Sequence, residues 1–180
     1  MPRIGLTLLL LLLLPLSGWS STVPLFVIQR SKNANEVHYR LHVDAHCRLV
    51  SATPVDAIWH LLAARPETTK PLTALDHLAY GAVQQTVAEN WVSFHLRSLA
   101  QRRVQATAIY DPHTATCAPQ VRTAINAQWA ALERIYVHAE ERLLRPKVLY
   151  IDLFGTSLEP PLHPVQLFPH LHHASLQLCR

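Results

Sequence analysis

Glycine is scarce where function most often needs it. Four glycines occur in 180 residues; Gly5 and Gly18 fall in the first twenty, which leaves Gly81 and Gly155 for the rest of the chain. A Walker loop or a dinucleotide-binding turn needs several glycines close together, so that backbone N–H groups can approach phosphate. Nucleotide-dependent enzymes of those kinds are therefore excluded, and no nucleotide cofactor is expected. Cysteine is also sparse. Cys47, Cys117 and Cys179 stand too far apart for a CxxC redox pair, and in an oxidising compartment three thiols allow one bridge with one left over. Spacing does not choose the pair. Charge is modest, with 16 Lys+Arg against 12 Asp+Glu, and the basic residues are scattered rather than clustered. A nucleic-acid partner would need them on one face, so none is expected. There is no GxSxG elbow, no SxxK and no HExxH.

The longest apolar run lies at the N-terminus. Met1, Pro2 and Arg3 precede a leucine-dense run to Leu16, followed by a small-residue exit at Gly18, Trp19 and Ser20. This order matches a secretory signal peptide spanning residues 1–20. The apolar run falls short of the roughly 20 residues that cross a bilayer. Nothing later resembles a membrane segment, so no transmembrane segment is expected once the signal is removed. The expected location is exported, periplasmic or secreted.

Residues 21–155 read as a single β-rich domain. Leu25, Phe26, Val27 and Ile28 suit a buried strand. After a polar connector, Val37, Tyr39, Leu41 and Val43 alternate with Glu36, His38, Arg40, His42 and Asp44, a period-two pattern that specifies a half-buried strand. The asparagines between them suit a tight turn, because asparagine tolerates left-handed backbone. Further strands are expected over 55–62, 91–96, 104–110, 121–126, 134–139 and 147–154, the last closed by Gly155. A polar link at 100–103 would close a second hairpin. One short helix is expected over 71–80, with Leu72, Leu75 and Leu78 on a shared face and Gly81 at its end. The expected architecture is an antiparallel barrel or sandwich of about seven or eight strands with one inserted helix. Residues 156–180 form a proline- and histidine-rich tail, expected to be extended or disordered.

The pattern Phe26-x-Ile28-x-Arg30-Ser31-Lys32-Asn33-Ala34-Asn35-x-Val37-x-Tyr39 resembles the opening signature of a family of small, often exported proteins described as a domain of unknown function. Tyr80-Gly81, Ile135-Tyr136-Val137 and the run from Lys147 to Gly155 follow in the order that resemblance requires. The resemblance implies one domain of this length. It carries no activity, cofactor or catalytic residue.

The connector is the leading candidate site. Arg30, Ser31, Lys32, Asn33 and Asn35, with His38 and Tyr39 beyond them, place a guanidinium, an ammonium, a hydroxyl and two amides within six residues. Such groups hold a carboxylate or phosphate through charge-assisted hydrogen bonds; the plainer role is to fasten a turn. Of the twelve histidines, His38 and His42 share a strand face but stand about 13 Å apart. Each could pair only with a histidine of another strand, such as His95. In the tail, His163, His170, His172 and His173 with Cys179 could gather around zinc or copper. Three functions follow: a non-enzymatic binding domain for a small or lipidic ligand, a hydrolase or transferase using the 30–35 cluster, or a metal-binding or partner-docking protein acting through its tail.

Overall fold

A computed structural model describes residues 21–140, 147–158 and, for backbone alone, 171–177. Eleven strands and one helix follow one another: β1 Ser21–Arg30, β2 Asn33–Val43, β3 Val55–Leu61, β4 Thr68–Pro71, α1 Ala74–Tyr80, β5 Ala82–Ala88, β6 Trp91–Leu96, β7 Leu99–Asp111, β8 Thr116–Ile125, β9 Gln128–Glu140, β10 Lys147–Ser157 and β11 Leu171–Gln177. The mainly β reading with one short helix is correct, whereas the expected count of seven or eight strands is too low. Short β4 and β5 carry no clear alternation, and residues 171–177 of the tail pair with β10 as a strand. The signal segment and His163 and His170 lie outside the described residues.

The strands form one sheet in the order β4-β3-β2-β1-β9-β8-β7-β6-β5, with β10 and β11 branching from β9. Among the described residues every strand pairing is antiparallel except one: β1 runs parallel to β9, from Val27 beside Arg134 to Arg30 beside Val137. The sheet, expected to be antiparallel, is mixed at this one pairing, which is made across about a hundred residues of chain and which no local pattern announces. β9 has three partners. Gln128–Ala131 pair with β8, residues 134–137 pair with β1, and β10 follows almost its whole length.

The sheet does not close into a barrel. Its two arms bend over a shared core in which Val37, Tyr39 and Leu41 of β2 join Val92 and Phe94 of β6, Val104 of β7 and Ile135 of β9. Where β3 and β5 approach, a side chain replaces the missing ladder. The Gln85 amide accepts from Val55 N at 3.0 Å and donates to Val55 O at 2.8 Å.

Local chemistry explains most turns. Asn126 and Ala127, both at positive φ, make a two-residue hairpin between β8 and β9. The second predicted hairpin is displaced: its turn lies at Arg97 and Ser98, and residues 100–103 are already in β7. Helix α1 starts after Thr73, whose hydroxyl accepts from Asp76 N while the Asp76 carboxylate accepts from Thr73 N, a capping box. The predicted apolar helix face is not buried. Leu72 is buried but precedes the helix, while Leu75 and Leu78 are 76% and 59% exposed. Gly155 sits inside β10 rather than closing it: a Cβ there would meet the Ala131 carbonyl at 2.2 Å, so the close approach of β9 and β10 requires glycine. Cys47, in the β2–β3 loop, is disulfide-bonded to Cys117 of β8; Cys179 lies outside the described residues.

Candidate functional site

The β1–β2 connector shrinks to a two-residue turn at Ser31 and Lys32. Its left-handed residue is Lys32, at φ 112°, and not an asparagine as expected. Asn33 acts instead through its side chain, whose Oδ1 accepts from Asn35 N at 2.9 Å. Ser31 extends the parallel pairing. Its N–H donates to Val137 O at 2.9 Å, and its hydroxyl donates to Ala139 O at 3.0 Å and accepts from Ala139 N at 2.9 Å. Lys32 and Ala34 point to solvent, while Asn35 Oδ1 is enclosed with no donor among the described residues. The serine and Asn33 therefore fasten backbone.

Arg30 and Tyr39 belong to a different setting. The Arg30 guanidinium lies 5.1 Å from the Trp59 ring centroid and 5.5 Å from that of Tyr80, both within cation–π range. Its Nε is enclosed without an acceptor, and no carboxylate lies within ion-pair distance of it among the described residues. Burial pushes the Tyr80 phenol up, against the opposing pull of the Arg30 charge and hydrogen bond. Tyr39 is fully buried, stacks on Phe26 with centroids 4.5 Å apart, and donates to Tyr80 O at 2.5 Å. Burial also pushes its phenol far up, so it remains a neutral donor.

His38 faces the other way. On the outer side of β2 its Nε2 lies 2.8 Å from Glu36 Oε2 and 3.3 Å from Nδ1 of His60 on β3. Gln29 Nε2 donates to the second Glu36 oxygen at 2.6 Å, and Arg134 donates to Gln29 Oε1 at 3.3 Å. Burial would raise the Glu36 pKa, yet the Gln29 and His38 hydrogen bonds and the pull of His38 and His60 hold it below the ordinary carboxylate value. The predicted site thus divides between two faces of the sheet. The histidine partner is His60, not His95, because the β2–β3 register places Glu36 opposite His60. Glu36 and His60 were not singled out from sequence. The alternation puts Glu36 and His38 on one face, but the register with β3 depends on a loop that sequence does not dimension. Farther along the outer face, His138 Nε2 lies 2.9 Å from the buried Asp152 carboxylate, and its ring stacks on Tyr150 at 3.9 Å.

Residues 26–162, well over half of the chain, match the family described as domain of unknown function (DUF4833). The chain belongs to the DUF4833 family. The match contains both halves of the divided site, from Arg30 and Glu36 through Trp59, His60 and Tyr80, and agrees with the resemblance carried by the opening signature. The family description assigns no activity. No curated protein and no solved structure matches the chain at a significant level.

Proposed function

We propose that this DUF4833 domain is an exported, non-enzymatic binding protein for a small or lipidic ligand whose head carries a carboxylate or phosphate, and that Arg30 receives that head. The observation that carries the reading is a half-buried guanidinium held against two aromatic rings without a carboxylate partner among the described residues. Desolvating a cation is costly unless an anion or acceptors answer it. Two neighbouring rings that themselves meet edge to face restrict where the guanidinium can sit, and its forked donors suit recognition of a carboxylate or phosphate. Export is supported by the leader-like start and by the Cys47–Cys117 disulfide, which suits an oxidising compartment. The engagement of the Ser31 hydroxyl with Ala139 favours binding over nucleophilic chemistry at this turn.

The test is native mass spectrometry of the mature protein purified from its export compartment. An excess mass that is released on denaturation, and that is absent from Arg30→Gln with unchanged near-UV circular dichroism, is the expected result. A bare mass for the unsubstituted protein, or an equal adduct on both proteins, would remove Arg30 as the receptor.

A further inference from the structure

A single proton on His38 Nε2 would have to serve two neighbours. One ring nitrogen, Nε2, faces both Glu36 Oε2 at 2.8 Å and His60 Nδ1 at 3.3 Å. An imidazole nitrogen carries either one proton or one lone pair in the ring plane. If Nε2 is protonated and donates to Glu36, the His60 Nδ1 lone pair receives only the longer share of a divided hydrogen bond. If it accepts from His60, its lone pair confronts the carboxylate. A cation among the three atoms would answer every one of them at once.

We propose that Glu36, His38 and His60 bind one divalent transition-metal ion of the zinc or copper(II) class, with at least one coordination position left open. The three donor atoms, Nε2, Nδ1 and a carboxylate oxygen, lie within 4.8 Å of one another. A tetrahedral ion with bonds of about 2.0–2.1 Å sets its ligand atoms about 3.3 Å apart, which is the His38–His60 separation. The His38–Glu36 edge need widen by only a few tenths of an ångström, and rotation of the glutamate side chain closes the third edge. Two imidazoles and one carboxylate select zinc or copper over calcium or magnesium, which prefer all-oxygen shells.

The surroundings resemble a supported site rather than a chance cluster. Ligating histidines commonly hand their second nitrogen to a carboxylate, which fixes tautomer and ring orientation. His60 does so: its Nε2 lies 3.3 Å from Glu67 Oε2, leaving Nδ1 to face the cluster. The Glu36 carboxylate is held by Gln29, itself held by Arg134. All three donor residues are half-buried, so an ion can enter and an open position can meet solvent. The proposal is independent of the Arg30 reading, because the two clusters occupy opposite faces of β2.

Zinc and copper(II), each alone, would be titrated into the full mature chain in competition with a chromophoric chelator. The same titration would be run on H60A, E36Q, Q29A and a tail variant carrying H163A, H170A, H172A and H173A. The tail variant separates this site from adventitious binding by the tail histidines. It is expected to keep one tight equivalent, whereas H60A and E36Q lose about 100-fold or more in affinity and Q29A loses about 10-fold. Metal-free circular dichroism confirms folding, with H38Q replacing any variant that fails to fold. Loss of tight binding in the tail variant, or full binding in folded H60A and E36Q, would overturn the proposal. Cobalt(II) bound to the tail variant should show the intense visible bands of a four-coordinate ion; a pale six-coordinate spectrum would equally overturn the proposed geometry.

Discussion

On β2, neighbouring residues one position apart live in different media. Val37, Tyr39, Leu41 and Val43 are buried among Phe26, Phe94 and Val104, while Glu36, His38, Arg40 and His42 stand half-exposed and meet partners from β1 and β3. The inward side is held by removal of apolar surface from water, which is large and indifferent to direction. The outward side is held by directed contacts between charged or polar groups, which add little stability at a surface but fix geometry. The stable face and the chemically capable face of this strand are therefore separate, so damage to one should spare the other.

A cavity cut into the inward face should have the largest effect. Leu41→Ala, at a fully buried position, is expected to lower unfolding stability by about 2–5 kcal/mol, read by chemical denaturation. A shift of a few tenths would mean that the core is loosely packed there. A smaller inward change is Tyr39→Phe, which keeps the ring stacked on Phe26 but removes the donor to Tyr80 O. Leaving that carbonyl unanswered should cost about 1–3 kcal/mol, and thermal unfolding would detect it. An outward change should be smaller still and should depend on pH. Arg40 and His42 engage Asp56, and they hold its carboxyl below the ordinary value although burial alone would raise it. A depressed carboxyl stabilises the fold above its unfolded pKa, and that contribution is lost as pH falls through the folded value. Asp56→Asn should therefore lower stability at pH 7 by about 1 kcal/mol or less, since the pair is partly solvated. The deficit should begin to shrink as pH falls through the ordinary carboxylate pKa of about 3.9 and be gone below the lowered folded value. A deficit that is constant with pH would mean that packing, not charge, is at stake.

The same division decides what could be read in the sequence. The alternation from Val37 to Val43 and the apolar run of β10 announced strands because burial leaves a periodic trace. Helix α1 was found through the shared face of Leu72, Leu75 and Leu78 and through Gly81, but spacing on a helix does not say which way a face turns, and Leu75 and Leu78 are exposed. In β9, Ala130, Leu132 and the glutamates favour helix locally, and pairing with three strands overrides that preference. At the site, Arg30, His38 and Tyr39 were picked out as polar groups near a turn. The separation of His38 from Tyr39 follows from the alternation along β2, while the arrival of Trp59 and His60 beside them follows from the β2–β3 register. That register is set by the loop at 44–54, fastened by Cys47 to distant Cys117.

The parallel seam between β1 and β9 also sets a timetable. During synthesis the residues of β1 leave the ribosome long before those of β9. Until then Ser31 lacks the Ala139 peptide that holds its hydroxyl, 108 residues later in the chain. β2 can join β1 at once as a hairpin, but the apolar residues Phe26 and Ile28 must wait for most of the domain to be made. Contacts of such range are slow to form and leave strand edges open meanwhile. For this domain the first described strand to appear is among the last to be secured.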